Sequence, residues 1–249
     1  MRNIKAIFLK QCTSMVKTPV LIAQGIVFLL MALAFLLIFN EDEPHDCTYC
    51  IPAYVCATCE EEEANRFQLP VPSIGGLFTV MFIGLASVGA AAMIVNEDKS
   101  TKNLRFMAMA DVTPFQYMPA TVAAMMAGIS VLLVFYGFIN DLSGVNILWF
   151  MAIGLLSALV SVLLGITIGL SRFPVLAAPI CMLLGLGPTF GTINENLANA
   201  IRFTYVQQAS IALADLDANL SSSFLIIAAN GAVVLLAFIF MHRKNKFNV

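Results

Sequence analysis

Charge is what this sequence has least of. Only 11% of its residues are Asp, Glu, Lys or Arg, and six stretches carry none at all: Val20–Phe39, Gly75–Val95, Ala120–Ile139, Leu148–Leu170, Phe173–Ile193 and Ser222–Met241. Each is about 20 residues long, or about 30 Å of helix, which matches the hydrocarbon core of a bilayer. Transport coupled to protons or sodium generally needs acidic or basic groups inside the spans, where the coupling ion binds; none is present. With no His, Asp or Glu in any span there is also no base or metal ligand for an intramembrane enzyme. A G-x-x-x-x-G-K-[ST] phosphate loop is missing as well, so ATP cannot be handled by that device. If the protein moves something uphill, the energy comes from a partner.

What is present is apolar. Hydrophobic residues make up 60% of the chain and the mean hydropathy is +0.89, far from the balance of a soluble domain. The expectation is an all-α membrane protein with six transmembrane helices in a single domain, 1–249. The start does not read as a cleaved signal, because Lys5, Lys10 and Lys17 lead through Pro19 into a full-length apolar run with no small-residue cleavage site. Lys and Arg favour cytoplasmic loops. Placing both termini in the cytoplasm puts every basic residue there except Arg66 and Arg202, and every acidic residue outside except Glu97, Asp98 and Asp111.

Within residues 1–18, Ile4, Ile7, Phe8 and Met15 recur at near-helical spacing while the lysines take other positions, a pattern for a helix lying in the cytoplasmic interface; a basic tail that only sets topology is the plainer alternative. The outer loop 40–74 holds Cys47, Cys50, Cys56 and Cys59 in paired C-x-x-C spacing, followed by Glu60–Glu63. Two disulfides closing a small knob are favoured outside the cytoplasm, with a four-thiolate zinc knuckle as the alternative. Cys12 and Cys181 read as packing residues. The inner loop 96–119 is too apolar for a solvated connector, since Leu104, Phe106, Met107 and Met109 call for cover. It reads as two short amphipathic pieces, the first around Lys102–Ala110, the second opened by Thr113 as cap and Pro114 at the first helical position. Gly165 and Gly169 form a G-x-x-x-G that permits close helix approach and need not mark a dimer face. The segment 191–221 scatters Leu197, Ile201, Phe203, Val206, Ile211 and Leu213 among few charges; it reads equally as broken helices dipping back into the membrane or as an external amphipathic hairpin.

Taken together, the basic first helix, the six spans, the inner loop Glu97…Leu104-Arg105-Phe106-Met107…Asp111-Val112-Thr113-Pro114-Phe115-Gln116-Tyr117 and the outer Asn196…Arg202-Phe203-Thr204-Tyr205-Val206-Gln207-Gln208 resemble a type-2 ABC exporter permease. The likeness is to the small permeases of Gram-positive bacteria that lack a fused ATPase domain. It implies a half-transporter in the cell membrane that pairs with a second permease subunit and docks separate ATPase subunits, which bind ATP and Mg. The chain itself would then hold no cofactor, contact no nucleic acid and catalyse nothing. The resemblance makes the inner loop a coupling helix, with Lys102, Leu104, Arg105, Phe106 and Met107 at the ATPase, and makes 191–221 the re-entrant helices that close the outer side. The cysteine knob is a departure from the family pattern. An amphipathic or hydrophobic cargo, such as a peptide, antimicrobial or drug, suits uncharged spans, and the acidic outer loop offers attraction for cationic peptides. A non-transporting scaffold or sensor with an external cysteine-rich ligand site is the alternative function.

Overall fold

The structure, a computed structural model, describes residues 2–17, 19–39, 74–140, 142, 144–171, 173–193, 199–214 and 220–241. Among these the secondary structure is helical throughout. Helix α1 (Arg2–Lys17) precedes α2 (Val20–Phe39). Then α3 (Ile74–Met81), a π-helical stretch Phe82–Ser87 and α4 (Val88–Ser100) run on as one rod. The short α5 (Asn103–Met109) leads into α6 (Pro114–Ile139) and α7 (Val145–Leu170). A 3-10 turn, Pro174–Leu176, opens α8 (Ala177–Ile193), and α9 (Tyr205–Ala214) and α10 (Leu220–Met241) follow.

Among the described residues four helices are long and apolar enough to cross a membrane: Gly76–Ser100, Pro114–Ile139, Val145–Leu170 and Leu220–Met241. Two shorter apolar helices, Val20–Phe35 and Ala177–Pro188, accompany them. By length and composition the chain is compatible with a multi-pass membrane protein. The rod of α3 and α4 is central, with 72% of its apolar window buried, against 11% for α10. Beyond the exposed Ser221 and Ser222 at its start, the outward side chains of α10, among them Leu225, Leu236 and Phe240, are apolar, as a lipid-facing surface requires.

Helix ends follow local chemistry. Thr113 and Gln116 form a capping box, and Pro114 sits at the start of α6, where its missing N–H costs nothing. The amphipathic piece expected after Thr113 is therefore the opening of a 26-residue helix and not a separate element. Similarly α4 continues past Val95 to Ser100, so the connection between the two rods shrinks to 101–113, with α5 inside it.

Glycines set the closest contacts. A Cβ at Gly165 would lie 2.6 Å from the Ala91 Cβ and press on the Val88 carbonyl, and one at Gly169 would lie 2.8 Å from the Val95 Cβ. The G-x-x-x-G of α7 is thus spent inside the chain, on α4. Across the rod, a Cβ at Gly84 would stand 2.9 Å from the Leu184 carbonyl oxygen, which brings the π-helical stretch onto α8. In that stretch the buried Ser87 hydroxyl donates to the Phe82 carbonyl five residues back at 3.4 Å.

Helix α9 is embedded among α3, α7, α8 and α10, with Val206, Ala209 and Ala212 fully buried. Its Tyr205 hydroxyl meets the Ser161 hydroxyl of α7 at 2.8 Å. Gln208 donates to the Arg202 carbonyl at 2.6 Å and accepts from Ser223 of α10 at 3.0 Å. Tyr205 and Gln208 at the start of α9 are thereby hydrogen-bonded inside an apolar bundle, while the Gln207 carbonyl oxygen is buried without a partner among the described residues.

Candidate functional site

The connection between α4 and α6 is a bracket of one short helix between two left-handed turns. Helix α4 ends where Lys102 takes a left-handed conformation (φ 60°), its amide donating to the Lys99 carbonyl at 3.2 Å. Helix α5 ends the same way at Asp111 (φ 55°): Val112 N–H donates to the Met107 carbonyl at 2.9 Å and Asp111 N–H to the Ala108 carbonyl at 3.2 Å, the paired bonds of a Schellman motif. Between these turns the seven residues of α5 have two faces. Leu104 is turned inward and is 1% exposed, with Met107 packed half-buried beside it. Phe106, 61% exposed, and Met109, 66% exposed, face outward together with Arg105.

Of the residues expected at a partner, Lys102, Arg105 and Phe106 are therefore on the surface, whereas Leu104 anchors α5 to its own bundle. Met109 joins the outward face, although the expected contact set did not include it.

Beneath the bracket lies a polar cluster centred on Asp98, in the last turn of α4 and only 6% exposed. Lys10 of α1 forms an ion pair with Oδ1, and Asn103 Nδ2 at the start of α5 donates to the same oxygen at 3.3 Å. Gln11 Nε2 donates to Oδ2 at 2.8 Å and the Tyr117 hydroxyl of α6 donates to it at 2.9 Å. The Gln11 carbonyl oxygen is buried without a partner among the described residues. The next residue, Lys99, donates to the Ser171 carbonyl just past α7 at 2.9 Å. The sequence places Lys10 and Gln11 on an interfacial helix and Asp98 in the inner loop, without bringing them together. The available signal was Gln11, one turn on from Ile7 on the buried face of α1, and Asp98, one turn on from the buried Val95.

A second feature is a cleft of about 460 Å3 between α2, the rod and α8. Leu85, Gly89, Ala92, Met93, Cys181 and Met182 line it with an apolar wall, and Gln24 and Asn96 supply its amides. The Gln24 carbonyl oxygen is buried with no hydrogen-bond donor among the described residues. Cys12 and Cys181 are both free thiols, Cys181 buried and Cys12 half-buried. Cys47, Cys50, Cys56 and Cys59 lie outside the described residues. Among the described residues no group of three or more His, Cys, Asp or Glu is placed to hold a metal. No family model, curated protein or solved structure matches the chain.

Proposed function

We propose that this chain is the membrane-spanning subunit of an ATP-driven exporter. In this reading α2 and α8 complete a set of six spans, both termini are cytoplasmic, and α9 belongs to a re-entrant pair closing the pathway on the outer side. A second permease subunit pairs with it, and separate ATPase subunits bind ATP and Mg. The observation that carries the reading is α5. A seven-residue helix held between two rods by left-handed turns, with an aromatic and a thioether side chain facing outward beside Arg105, has the form of a docking element for a cytoplasmic partner. Clustered apolar side chains exposed to water point to a partner that covers them.

The cleft supports the same reading from the membrane side. Its apolar wall, with the Gln24 and Asn96 side chains at the edge, suits an amphipathic cargo. ATP closure of the partner subunits would move α5, and the close-packed rods would tilt with it.

The test is co-purification with ATPase subunits from the same organism, then ATP hydrolysis in lipid with and without this chain. A stable complex whose turnover changes with the permease supports the exporter. Failure to associate with any ATPase overturns it and moves the weight to a scaffold or sensor.

A further inference from the structure

The Asp98 cluster has more order than a loop needs. A carboxylate in the last turn of a helix faces the negative end of the helix dipole, where cations are favoured. Asp98 therefore gains nothing from its own helix. Its stabilisation comes from donors on other elements: Lys10 and Gln11 on α1, Asn103 on α5 and Tyr117 on α6. A carboxylate offers about four acceptor sites, and all are taken. One buried charge thus fastens three neighbouring elements to the end of α4. Lys99 fastens the same end to the backbone beyond α7.

We propose that Asp98 is a positioning residue for α5, tying the first helix to the coupling element so that α1, α5 and the inner ends of α4 and α6 move as one body. This rests on the exporter reading for what the movement does, while the mechanical link is a property of the chain alone. In consequence α1 transmits force and does more than lie on the membrane surface. A charge-assisted cluster suits this task because its bonds are short, directional and costly to break singly.

The experiment uses the full chain in lipid nanodiscs, alone and with its ATPase, and compares Asp98→Asn, Lys10→Gln, their combination and Lys10→Arg. In the chain alone, backbone hydrogen exchange in α1 and in α5 is expected to accelerate together, by about tenfold or more in Asp98→Asn, with α7 unchanged. The double variant is expected to add little to Asp98→Asn, as for residues sharing one network, and Lys10→Arg to behave as wild type. In the complex, Asp98→Asn is expected to leave ATPase binding intact, because Phe106 and Met109 are untouched, and to abolish the response of hydrolysis to the permease. Should Asp98→Asn fail to fold, Lys10→Gln carries the same test from a partly exposed position.

Exchange that rises in one helix without the other overturns the link. Both helices loosening with coupling unchanged overturns the positioning role, leaving a structural clamp. If the wild-type chain binds no ATPase, the exporter reading falls and the coupling role with it, while the exchange result still decides the link.

Discussion

Removing the Leu104 side chain separates what holds α5 from what α5 presents. Leu104 is 1% exposed, and truncation of a buried leucine to alanine costs about 2–5 kcal/mol through lost burial and the cavity left behind. A value of about 3 kcal/mol is reasonable for a site at the edge of the core. Helices shorter than about 12 residues do not persist on their own, so α5, with seven, depends on this anchor, on the Asn103 bond to Asp98 and on its Schellman end. At about 1.4 kcal/mol per decade, Leu104→Ala should accelerate exchange of the α5 amides by about a hundredfold. Phe106→Ala removes a side chain that is 61% exposed and should change exchange by no more than about threefold, the range of a surface substitution within about 0.5 kcal/mol. Its effect should fall on ATPase binding. The assay is hydrogen exchange by mass spectrometry in nanodiscs, paired with a pull-down of the ATPase. Equal exchange in the two variants, or unchanged protection in Leu104→Ala, would refute the two-faced account of α5.

Other outcomes follow from packing and strain. Gly165→Ala gains about 1 kcal/mol of helix propensity but forces a methyl against α4 backbone, at a cost near the upper end of about 1–3 kcal/mol; a net loss of about 2 kcal/mol is expected in detergent unfolding. Gly89→Ala, whose methyl would lie 3.8 Å from the Cys181 sulfur, should gain up to about 1 kcal/mol, and a loss larger than that of Gly165→Ala would contradict the packing. Asp111→Gly relieves a left-handed residue and should stabilise α5 by about 1 kcal/mol, read as slower exchange; faster exchange would mean that the aspartate side chain holds the turn. Tyr205→Phe should cost about 1–3 kcal/mol by stranding the buried Ser161 hydroxyl, and Ser161→Ala should cost less in that background than alone. Additive losses would show that the two hydroxyls act independently.

The apolar runs announced the helices because uncharged stretches of that length have few other fates. Helix ends were less legible: α4 outruns its apolar run by a turn and more, because Asp98 and Lys99 find partners on α1, α5 and beyond α7. The facing of α5 was hidden as well. Leu104, Phe106 and Met107 are all apolar, and only the tertiary contact decides which of them turns inward. Asp98 reads only as part of the inner loop until α1 packs against α6 and covers it. The glycine pair of α7 showed that something comes close, while its partner, α4, became evident only in three dimensions. For 191–221 composition left two readings level; burial of Val206, Ala209 and Ala212 shows that α9 packs into the bundle, which composition did not reveal.

The π-helical turn at Phe82–Ser87 makes the chain sensitive to deletion in a position-dependent way. A π turn holds one residue more than the α-helix around it, and each residue turns a helix by about 100°. Loss of one residue inside the turn could be absorbed by its becoming α-helical. Loss of one residue between Val88 and Val95 has no such slack and would rotate Asp98 by about 100°, away from Lys10 and Tyr117. A scan of single-residue deletions along the rod should therefore show a tolerant window at the π turn, followed by an intolerant stretch that ends at the bracket.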